Sequence, residues 1–254
     1  MSKFVDKLQS LSKSSSTPIG FHPSVSESKR PAMLLVVGLA GTEEKEARIV
    51  ADVNADAGLI LGDDPRGKVV KQMIEAVGDV PLGVFVKSMS EGKMNELDSE
   101  GCDFVVFDIK IPAAVLQKGR IGKFLMIEPS LDQGLVRAIN SLEVDGVFMS
   151  SKSGDSFVAV EHLLFCRRFV ELLEKPVIMS LPPLVTKAEL TSVWQAGIDG
   201  VVTFSTQSIA TLAELKKMIG DLPGGPRGRR AKVGVVIPHQ EGLMGGGEDE
   251  EEET

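Results

Sequence analysis

The sequence has little cysteine, since only Cys102 and Cys166 occur among its 254 residues. Two cysteines cannot build a disulfide framework, and a chain of this length buries enough surface to fold without one. Both lie in apolar stretches, GCDFVVF and HLLFCRRF. We therefore expect two buried thiols in a reducing compartment, with no catalytic or bridging role.

Tyrosine is absent, and the chain has three histidines, 11 phenylalanines and one tryptophan. Without tyrosine, phenolic acid/base catalysis is excluded, and so few aromatic side chains disfavour a platform that stacks bases or sugars. His22, His162 and His239 fall in the N-terminal arm, a helical segment and the tail. Because none of them follows a buried strand, we expect neither a histidine metal centre nor a Ser-His-Asp triad.

Long apolar runs are missing as well. The N-terminus MSKFVDKLQSLSKSSS has no signal-peptide core, and no stretch is apolar enough to span a membrane, so we predict a cytoplasmic protein with no membrane partner. Of the net charge of −8, six units come from residues 248–253, which leaves −2 on residues 1–247. This nearly neutral body argues against a nucleic-acid partner, and the segment PGGPRGRRAK is interpreted as a solvated linker.

Four stretches repeat one design, in which a helix end, a turn and a strand follow each other. Gly or Asp lets the chain leave the helix, and the apolar residues that follow lack polar alternation, which indicates strands buried on both faces. The repeats are ADAGLIL (55–61), SEGCDFVVF (99–107), LEVDGVFMS (142–150) and QAGIDGVVTF (195–204). The other predicted strands are AMLLVVGL (32–39), GDVPLGVFV (78–86), RIGKFLMI (120–127) and EKPVIMS (174–180).

Helical patterns fill the gaps between these strands, with apolar residues at spacings of three and four. The segments are TEEKEARIVADVNA, KVVKQMIEAVG, SEGKMNELDSEG, PAAVLQKG, SLDQGLVRAINSLE, DSFVAVEHLLFCRRFVELLE, TKAELTSVWQAG and TLAELKKMIGDL. Because strand and helix alternate and crossovers are right-handed, the pattern predicts an α/β fold, a closed (β/α)8 TIM barrel over residues 31–222. The competing open doubly wound sheet would need GxGxxG after the first strand, where only Gly38 and Gly41 occur.

Two flanking segments complete the predicted organisation. Residues 1–30 form an N-terminal arm whose amphipathic helix (Phe4, Val5, Leu8, Leu11) is expected to plug or flank the N-terminal end of the barrel. Residues 223–254 hold the linker, the short VGVVI segment (233–237), which would add an edge strand or a clasp, and an acidic tail predicted to be disordered.

The working groups of such a barrel project from the C-terminal ends of its strands. In FDIK on the fourth strand, side-chain alternation would put Asp108 and Lys110 on one face. If that face is inward, they would meet Lys87 from the third strand and Glu128 from the fifth. Such a cluster suits a Schiff-base lysine with a lowered pKa and a neighbouring proton carrier. The alternatives are an ion-pair network that only ties strands together, or Lys110 turned out into the loop.

With this pattern the sequence resembles the aldolase-type group of TIM barrels, which includes class I aldolases and phosphate-binding sugar isomerases, epimerases and decarboxylases. The resemblance covers residues 31–222 and matches no single family motif. It implies a Schiff-base lysine at the end of strand six or four, positions approximately filled by Lys152 in SSKSGDS, after Ser150 and Ser151, and by Lys110.

The phosphate-binding branch of this group uses the loop after strand eight. Here the candidate anion ligands are Ser205, Thr206, Gln207 and Ser208, at the start of a predicted helix. Ser150, Ser151 and Lys152, after strand six, are further candidates for binding the substrate or its phosphate. A plain helix cap by Ser205 or Thr206 explains the same letters. Asp63, Asp64 and Glu128 offer oxygen ligands for Mg²⁺, although Asp64 equally begins a turn.

We therefore predict a lyase or isomerase acting on a small carbonyl compound, with or without phosphate, at the C-terminal face of the barrel. Lys110 or Lys87 would be the electrophile or Schiff-base former, Asp108 and Glu128 the proton carriers, and Ser205 and Thr206 the anion anchors. No cofactor is expected, with Mg²⁺ and flavin as open alternatives. The alternative functions are a non-catalytic ligand-binding or scaffolding barrel, including a subunit of a homo-oligomer, and a flavin-linked barrel.

Overall fold

The computed structural model describes residues 2–12, 31–41, 43–62, 65–88, 90–117, 119–150 and 156–223. In these residues the predicted strands form a closed barrel in which each strand pairs in parallel with its neighbours along the chain, and the last pairs with the first. The strands are β1 (Leu34–Leu39), β2 (Ala57–Ile60), β3 (Leu82–Val86), β4 (Phe104–Phe107), β5 (Gly122–Ile127), β6 (Gly146–Met149), β7 (Val177–Ser180) and β8 (Gly200–Phe204). The predicted (β/α)8 TIM barrel is confirmed.

Helices precede β1, cover the outside of the barrel and follow β8. They are α1 (Lys3–Ser12), α2 (Glu44–Asp52), α3 (Gly67–Val77), α4 (Glu91–Ser99), α5 (Gln133–Ala138), α6 (Val160–Leu172), α7 (Lys187–Gln195) and α8 (Ile209–Gly220). A large apolar core lies between them and the outer face of the sheet.

One helical prediction is wrong in kind and another in length. The segment PAAVLQKG forms only a short 3₁₀ helix, Ala113–Leu116, and SLDQGLVRAINSLE forms the short α5 followed by a 3₁₀ turn, Ile139–Ser141. PAAVLQKG has only eight residues, so few hydrogen bonds would offset the cost of starting a helix. SLDQGLVRAINSLE is longer but contains Gly134, which lowers the helix propensity of its first turn. The connection between β4 and β5 therefore lacks the helix that covers the other strand pairs.

The interior of the barrel is filled by phenylalanine rings that fit against glycines of neighbouring strands. Phe104 and Phe124 meet edge to face with ring centroids 5.5 Å apart, and Phe124 and Phe148 do the same at 5.6 Å. A Cβ atom at Gly83 would overlap the Phe104 ring, and one at Gly146 would lie 2.6 Å from Phe124 Cε1. Large and small inward residues thus alternate between strands, which lets a narrow barrel hold aromatic rings.

Helix α1 closes the N-terminal end of the barrel, as the amphipathic pattern predicts. Phe4 is fully buried and stacks on Phe104 with ring centroids 4.6 Å apart. The carboxylate of Asp103, just before β4, accepts hydrogen bonds from the amide groups of Lys3 and Phe4 and from the Ser2 hydroxyl. A carboxylate at a helix N-terminus is favoured by the free amide groups there, so Asp103 fixes α1 in its place.

The aspartates of the four sequence repeats share a position directly before an even-numbered strand. Three of these carboxylates accept a hydrogen bond from a backbone amide of the preceding odd-numbered strand. The Leu35 amide donates to Asp56 at 2.8 Å, the Lys123 amide to Asp145 at 2.8 Å and the Val177 amide to Asp199 at 2.9 Å. The fourth, Asp103, holds α1 instead. The repeated aspartate therefore satisfies amide groups at the lower rim of the barrel, in addition to allowing the predicted turn.

Candidate functional site

Three of the predicted charged residues directly follow strands at the C-terminal mouth of the barrel. Phe85, Val106 and Met126 contact the interior apolar cluster, so strand alternation assigns the next inward positions on β3, β4 and β5 to Lys87, Asp108 and Glu128. Lys87 and Asp108 directly follow Val86 and Phe107, which are register partners. Neighbouring strands lie about 4.8 Å apart, so these two residues are neighbours at the rim.

Asp108 is held in a defined orientation by its own turn. It is half-buried, and its Oδ1 atom accepts a hydrogen bond of 2.6 Å from the Lys110 backbone amide. The same turn changes the expectation for Lys110. Because β4 ends at Phe107, strand alternation does not extend to Lys110, and the exposed side chain belongs to the loop rather than to the strand face shared with Asp108.

Exposure separates the three long side chains of the predicted cluster from Asp108. Lys87, Lys110 and Glu128 are all exposed. The Glu128 Oε2 atom accepts a hydrogen bond of 3.4 Å from the Ser130 hydroxyl, within its own loop. The mouth therefore has one half-buried carboxylate at its inner edge and a solvated charged rim around it.

Beneath this rim the wall of the mouth is apolar. Leu61, Phe85 and Met126 are half-buried and pack on the interior cluster, and Phe204 at the end of β8 is half-buried as well. Gly38 gives them room, because a Cβ atom there would lie 2.9 Å from Leu61 Cδ1 and 3.2 Å from Phe204 Cδ1. A ligand entering the mouth would meet the charged rim of β3 to β5 first and, beneath it, apolar side chains from β2, β3, β5 and β8.

The predicted anion site after β8 holds a carboxylate that sequence reasoning missed. Ser205 donates a hydrogen bond of 3.1 Å to Glu46 Oε2, and the Gly41 amide donates to the same atom at 2.9 Å. The Ser205 hydroxyl therefore already serves a negatively charged partner, which disfavours a second anion on it. The available signal was the position of Glu46 as the third residue of α2, from which a glutamate commonly reaches back to amide groups before its helix.

The other residues of this loop begin α8. Ser208 is the N-cap, since its hydroxyl accepts a hydrogen bond of 3.1 Å from the Thr211 amide, and the Gln207 amide donates to the Phe204 carbonyl at 3.1 Å. Thr206 is exposed and Gln207 half-buried. The residue that caps α8 is therefore Ser208, and not Ser205 or Thr206 as the sequence suggests. That Thr206, Gln207 and Ser208 bind an anion stays a prediction.

The remaining candidates contribute less to this site. Ser150, half-buried at the end of β6, donates its amide to the Ile127 carbonyl at 3.2 Å, whereas Ser151, Lys152, Asp63 and Asp64 lie outside the described residues. Within the ranges that the structure describes, no three His, Cys, Asp or Glu side chains are grouped as metal ligands. His162 lies in α6, and its Nδ1 atom accepts a hydrogen bond from the Ala159 amide at 2.9 Å.

Both cysteines are buried, as predicted, and lie away from the mouth. Burial raises the pKa of the Cys102 thiol and of the Cys166 thiol to about 12. A thiol with so high a pKa is a poor nucleophile at neutral pH, since only the thiolate reacts.

In the described part of the chain, no helix has the length and apolar character needed to cross a membrane.

No protein-family model matches the sequence, and no curated protein matches it. Among solved structures, a protein from Aquifex aeolicus is 15% identical, with a TM-score of 0.60, and the alignment covers 87% of this chain and 98% of that one. A variant tryptophan synthase alpha-subunit from Pyrococcus furiosus is 14% identical, with a TM-score of 0.57 over 76% of this chain and 98% of that one. The tryptophan synthase complex of the same organism gives a TM-score of 0.56 at 14% identity, with the same coverage. At such low identity these likenesses show the fold alone, which is that of a closed (β/α)8 barrel.

Proposed function

We propose that the C-terminal mouth of the barrel binds a small polar carbonyl compound and acts on it as a lyase or isomerase. The observation that carries this proposal is the placement of Lys87 and Asp108, which follow register partners on adjacent strands and occupy inward positions. A carboxylate beside an ammonium group can take a proton from the carbon next to a carbonyl while the cation stabilises the developing oxyanion.

The residues of the mouth divide this work. Asp108 moves the proton, because the Lys110 amide holds its Oδ1 atom and so orients the carboxylate. Lys87 polarises the carbonyl or, in the aldolase version, forms a Schiff base with it, with Lys110 as the alternative nucleophile. Glu128 is the second proton carrier, and Phe85 and Met126 contact the carbon part of the ligand.

A phosphate group on the substrate would bind at the start of α8. Backbone amide groups at a helix N-terminus favour an anion, and Thr206, Gln207 and Ser208 supply the local side chains. Ser205 is not one of the proposed phosphate ligands, because its hydroxyl donates a hydrogen bond to Glu46. The expected substrate is therefore a hydroxycarbonyl compound whose phosphorylated form binds more tightly than its free form.

Proton exchange tests the proposal without knowledge of the natural substrate. In D₂O, a panel of hydroxycarbonyl compounds is followed by ¹H NMR for loss of the signal from the carbon next to the carbonyl. We expect exchange with some of them, reduced at least about 100-fold in Asp108→Asn. The asparagine oxygen can still accept the Lys110 amide, so this variant should fold normally, and Asp52→Asn, at an exposed end of α2, is the matched control.

Borohydride trapping tests the aldolase version. After incubation with the same panel, reduction should leave a covalent adduct that peptide mapping assigns to Lys87 or Lys110 and that disappears in the corresponding alanine variant. Lys68→Ala, on the exposed face of α3, is the control. If no compound exchanges its proton and none leaves an adduct at the mouth, lyase or isomerase chemistry there is ruled out.

The apolar wall favours a second candidate, a barrel that binds a ligand without converting it. Leu61, Phe85, Met126 and Phe204 present half-buried carbon surface to the mouth. Such a barrel would be stabilised by its ligand according to RT ln(1 + [L]/Kd), yet it would show neither exchange nor adduct. A flavin-linked barrel would give a yellow protein with flavin absorbance.

A further inference from the structure

The outer side of the barrel has a cavity where its helical cover is incomplete. Between β4 and β5 the chain forms only the 3₁₀ helix Ala113–Leu116. A cavity of about 160 Å³ lies between this connection and α4. Its polar lining consists of Asn95, Asp98, Gln117, Arg120 and Lys123.

Lys123 is the unusual member of this lining, because lysine is rarely buried and this residue is only 5% exposed. It alternates with the interior residue Phe124, so its side chain lies on the outer face of β5. The ammonium group donates to the Leu116 carbonyl at 3.3 Å and to the Gln117 carbonyl. An ammonium group has three N–H donors, and these two carbonyls accept two of them. The third donor remains on a side chain that lines the cavity.

The charged side chains that line the cavity do not all pair with one another. Arg120 and Asp98 form an ion pair at 3.6 Å, whereas none of the ion pairs of the described residues includes Lys123. The Asp145 carboxylate accepts a hydrogen bond from the Lys123 backbone amide instead. Desolvation lowers the pKa of Lys123, although Asp145 and Glu143 oppose this. Among the described residues no carboxylate forms an ion pair with the Lys123 ammonium group, and a bound monovalent anion would supply that partner.

We infer that this cavity binds a small monocarboxylate, whose carboxylate group accepts a hydrogen bond from the Lys123 ammonium group. The amide groups of Asn95 and Gln117 can donate to the same anion, and Met94, Val115 and Ile121 line the space for a short carbon chain. Among the described lining residues the other cation, Arg120, is already paired with Asp98, so a dianion is disfavoured. The site lies on the outer face of β5 and is independent of the function proposed for the mouth.

Binding is measured with propanoate as the probe, at constant ionic strength, by thermal shift and by calorimetric titration. At ten times its Kd, propanoate should raise Tm by about 3 °C. The neutral, nearly isosteric propanamide and inorganic phosphate should each bind at least tenfold more weakly. Equal binding of propanamide or phosphate would overturn the proposed ligand class, and no binding of propanoate would overturn the site.

Lys123→Met keeps the length of the side chain and removes its charge, so propanoate affinity should fall at least tenfold. The matched control is Lys175→Met, because Lys175 also donates to two backbone carbonyls, those of Leu142 and Val144 at 3.0 and 2.7 Å, but does not line the cavity. If Lys123→Met does not fold, Ala114→Phe keeps the lysine and fills the cavity, and it should abolish binding. Propanoate binding that survives either variant contradicts the inference, and unchanged proton exchange at the mouth shows that the two sites are separate.

Discussion

The closure of the barrel by α1 makes a quantitative prediction for Phe4→Ala. Phe4 is fully buried, stacks on Phe104 and lies 5.4 Å from the Phe124 ring centroid. Its removal takes away apolar contacts on several sides and leaves a cavity at the lower end of the barrel. If α1 is an integral part of the core, the variant should lose as much stability as one with a truncated internal phenylalanine.

Buried Phe→Ala substitutions cost about 3–5 kcal/mol. Because α1 lies at an open end of the barrel, where it can shift toward the gap, we expect the lower limit of about 3 kcal/mol. For a domain of this size, each kcal/mol lowers Tm by about 2–4 °C, so Tm should fall by about 6–12 °C.

Urea unfolding followed by circular dichroism measures this loss of stability. The m-value shows whether the variant and the unchanged protein expose the same amount of surface when they unfold. Phe157→Ala is the matched control, because Phe157 is 62% exposed and its truncation should change stability by less than about 0.5 kcal/mol. A loss below about 1 kcal/mol for Phe4→Ala, with an unchanged m-value, would refute the placement of α1 in the core.

Three further predictions concern other parts of the molecule. Gly83→Ala should cost about 2 kcal/mol in urea unfolding, since its Cβ would overlap a phenylalanine ring, whereas Gly119→Ala, whose Cβ meets no described atom within 4 Å, should be nearly neutral. The two cysteine thiols, with pKa raised to about 12, should resist iodoacetamide at pH 8 in the native protein and both react after unfolding, as mass spectrometry would show. Thr186→Ala should cost about 1 kcal/mol through loss of the α7 cap, with Thr186→Ser as the control. Hydrogen bonds from the Thr186 hydroxyl and backbone amide also lower the pKa of Glu189. The stability that they contribute should be present above the unfolded pKa of this glutamate and be lost as the pH falls through its folded pKa, and this loss should be smaller in Thr186→Ala, which keeps only the backbone donor.

The strands of this barrel could be predicted because both of their faces are buried. A parallel strand between a packed interior and a helical layer needs apolar residues without alternation, and this pattern is visible over short windows such as FVVF at 104–107. The repeated aspartates marked the strand starts for a second reason, which only the structure shows. Asp56, Asp145 and Asp199 accept amide groups from the preceding strands, and such contacts join residues about twenty positions apart.

The connection between β4 and β5, where the sequence pattern predicts a helix and only a short 3₁₀ helix forms, shows that local sequence pattern alone does not decide whether a helix forms. In PAAVLQKG the apolar residues have helical spacing, but eight residues ending in glycine cannot support several helical turns. The same short connection changed the candidate site, because β4 ends at Phe107 and its turn removes Lys110 from the strand face. Charge type and approximate place were predictable here, whereas side-chain direction depended on where the strand ends.

The pairing of Glu46 with Ser205 could not be predicted from either segment alone. The two residues are 159 positions apart, and they meet only because β1 and β8 close the barrel and bring the start of α2 beside the end of β8. In isolation, TFSTQS has the hydroxyl groups of an anion site, and the N-terminal region of α2 has an ordinary helix-capping glutamate. Once they are adjacent, the glutamate takes the serine hydroxyl and brings a negative charge to the place where a phosphate would bind. Barrel closure therefore decides which hydroxyl groups are left for an anion, and this is why the proposed contacts move from Ser205 to the first residues of α8.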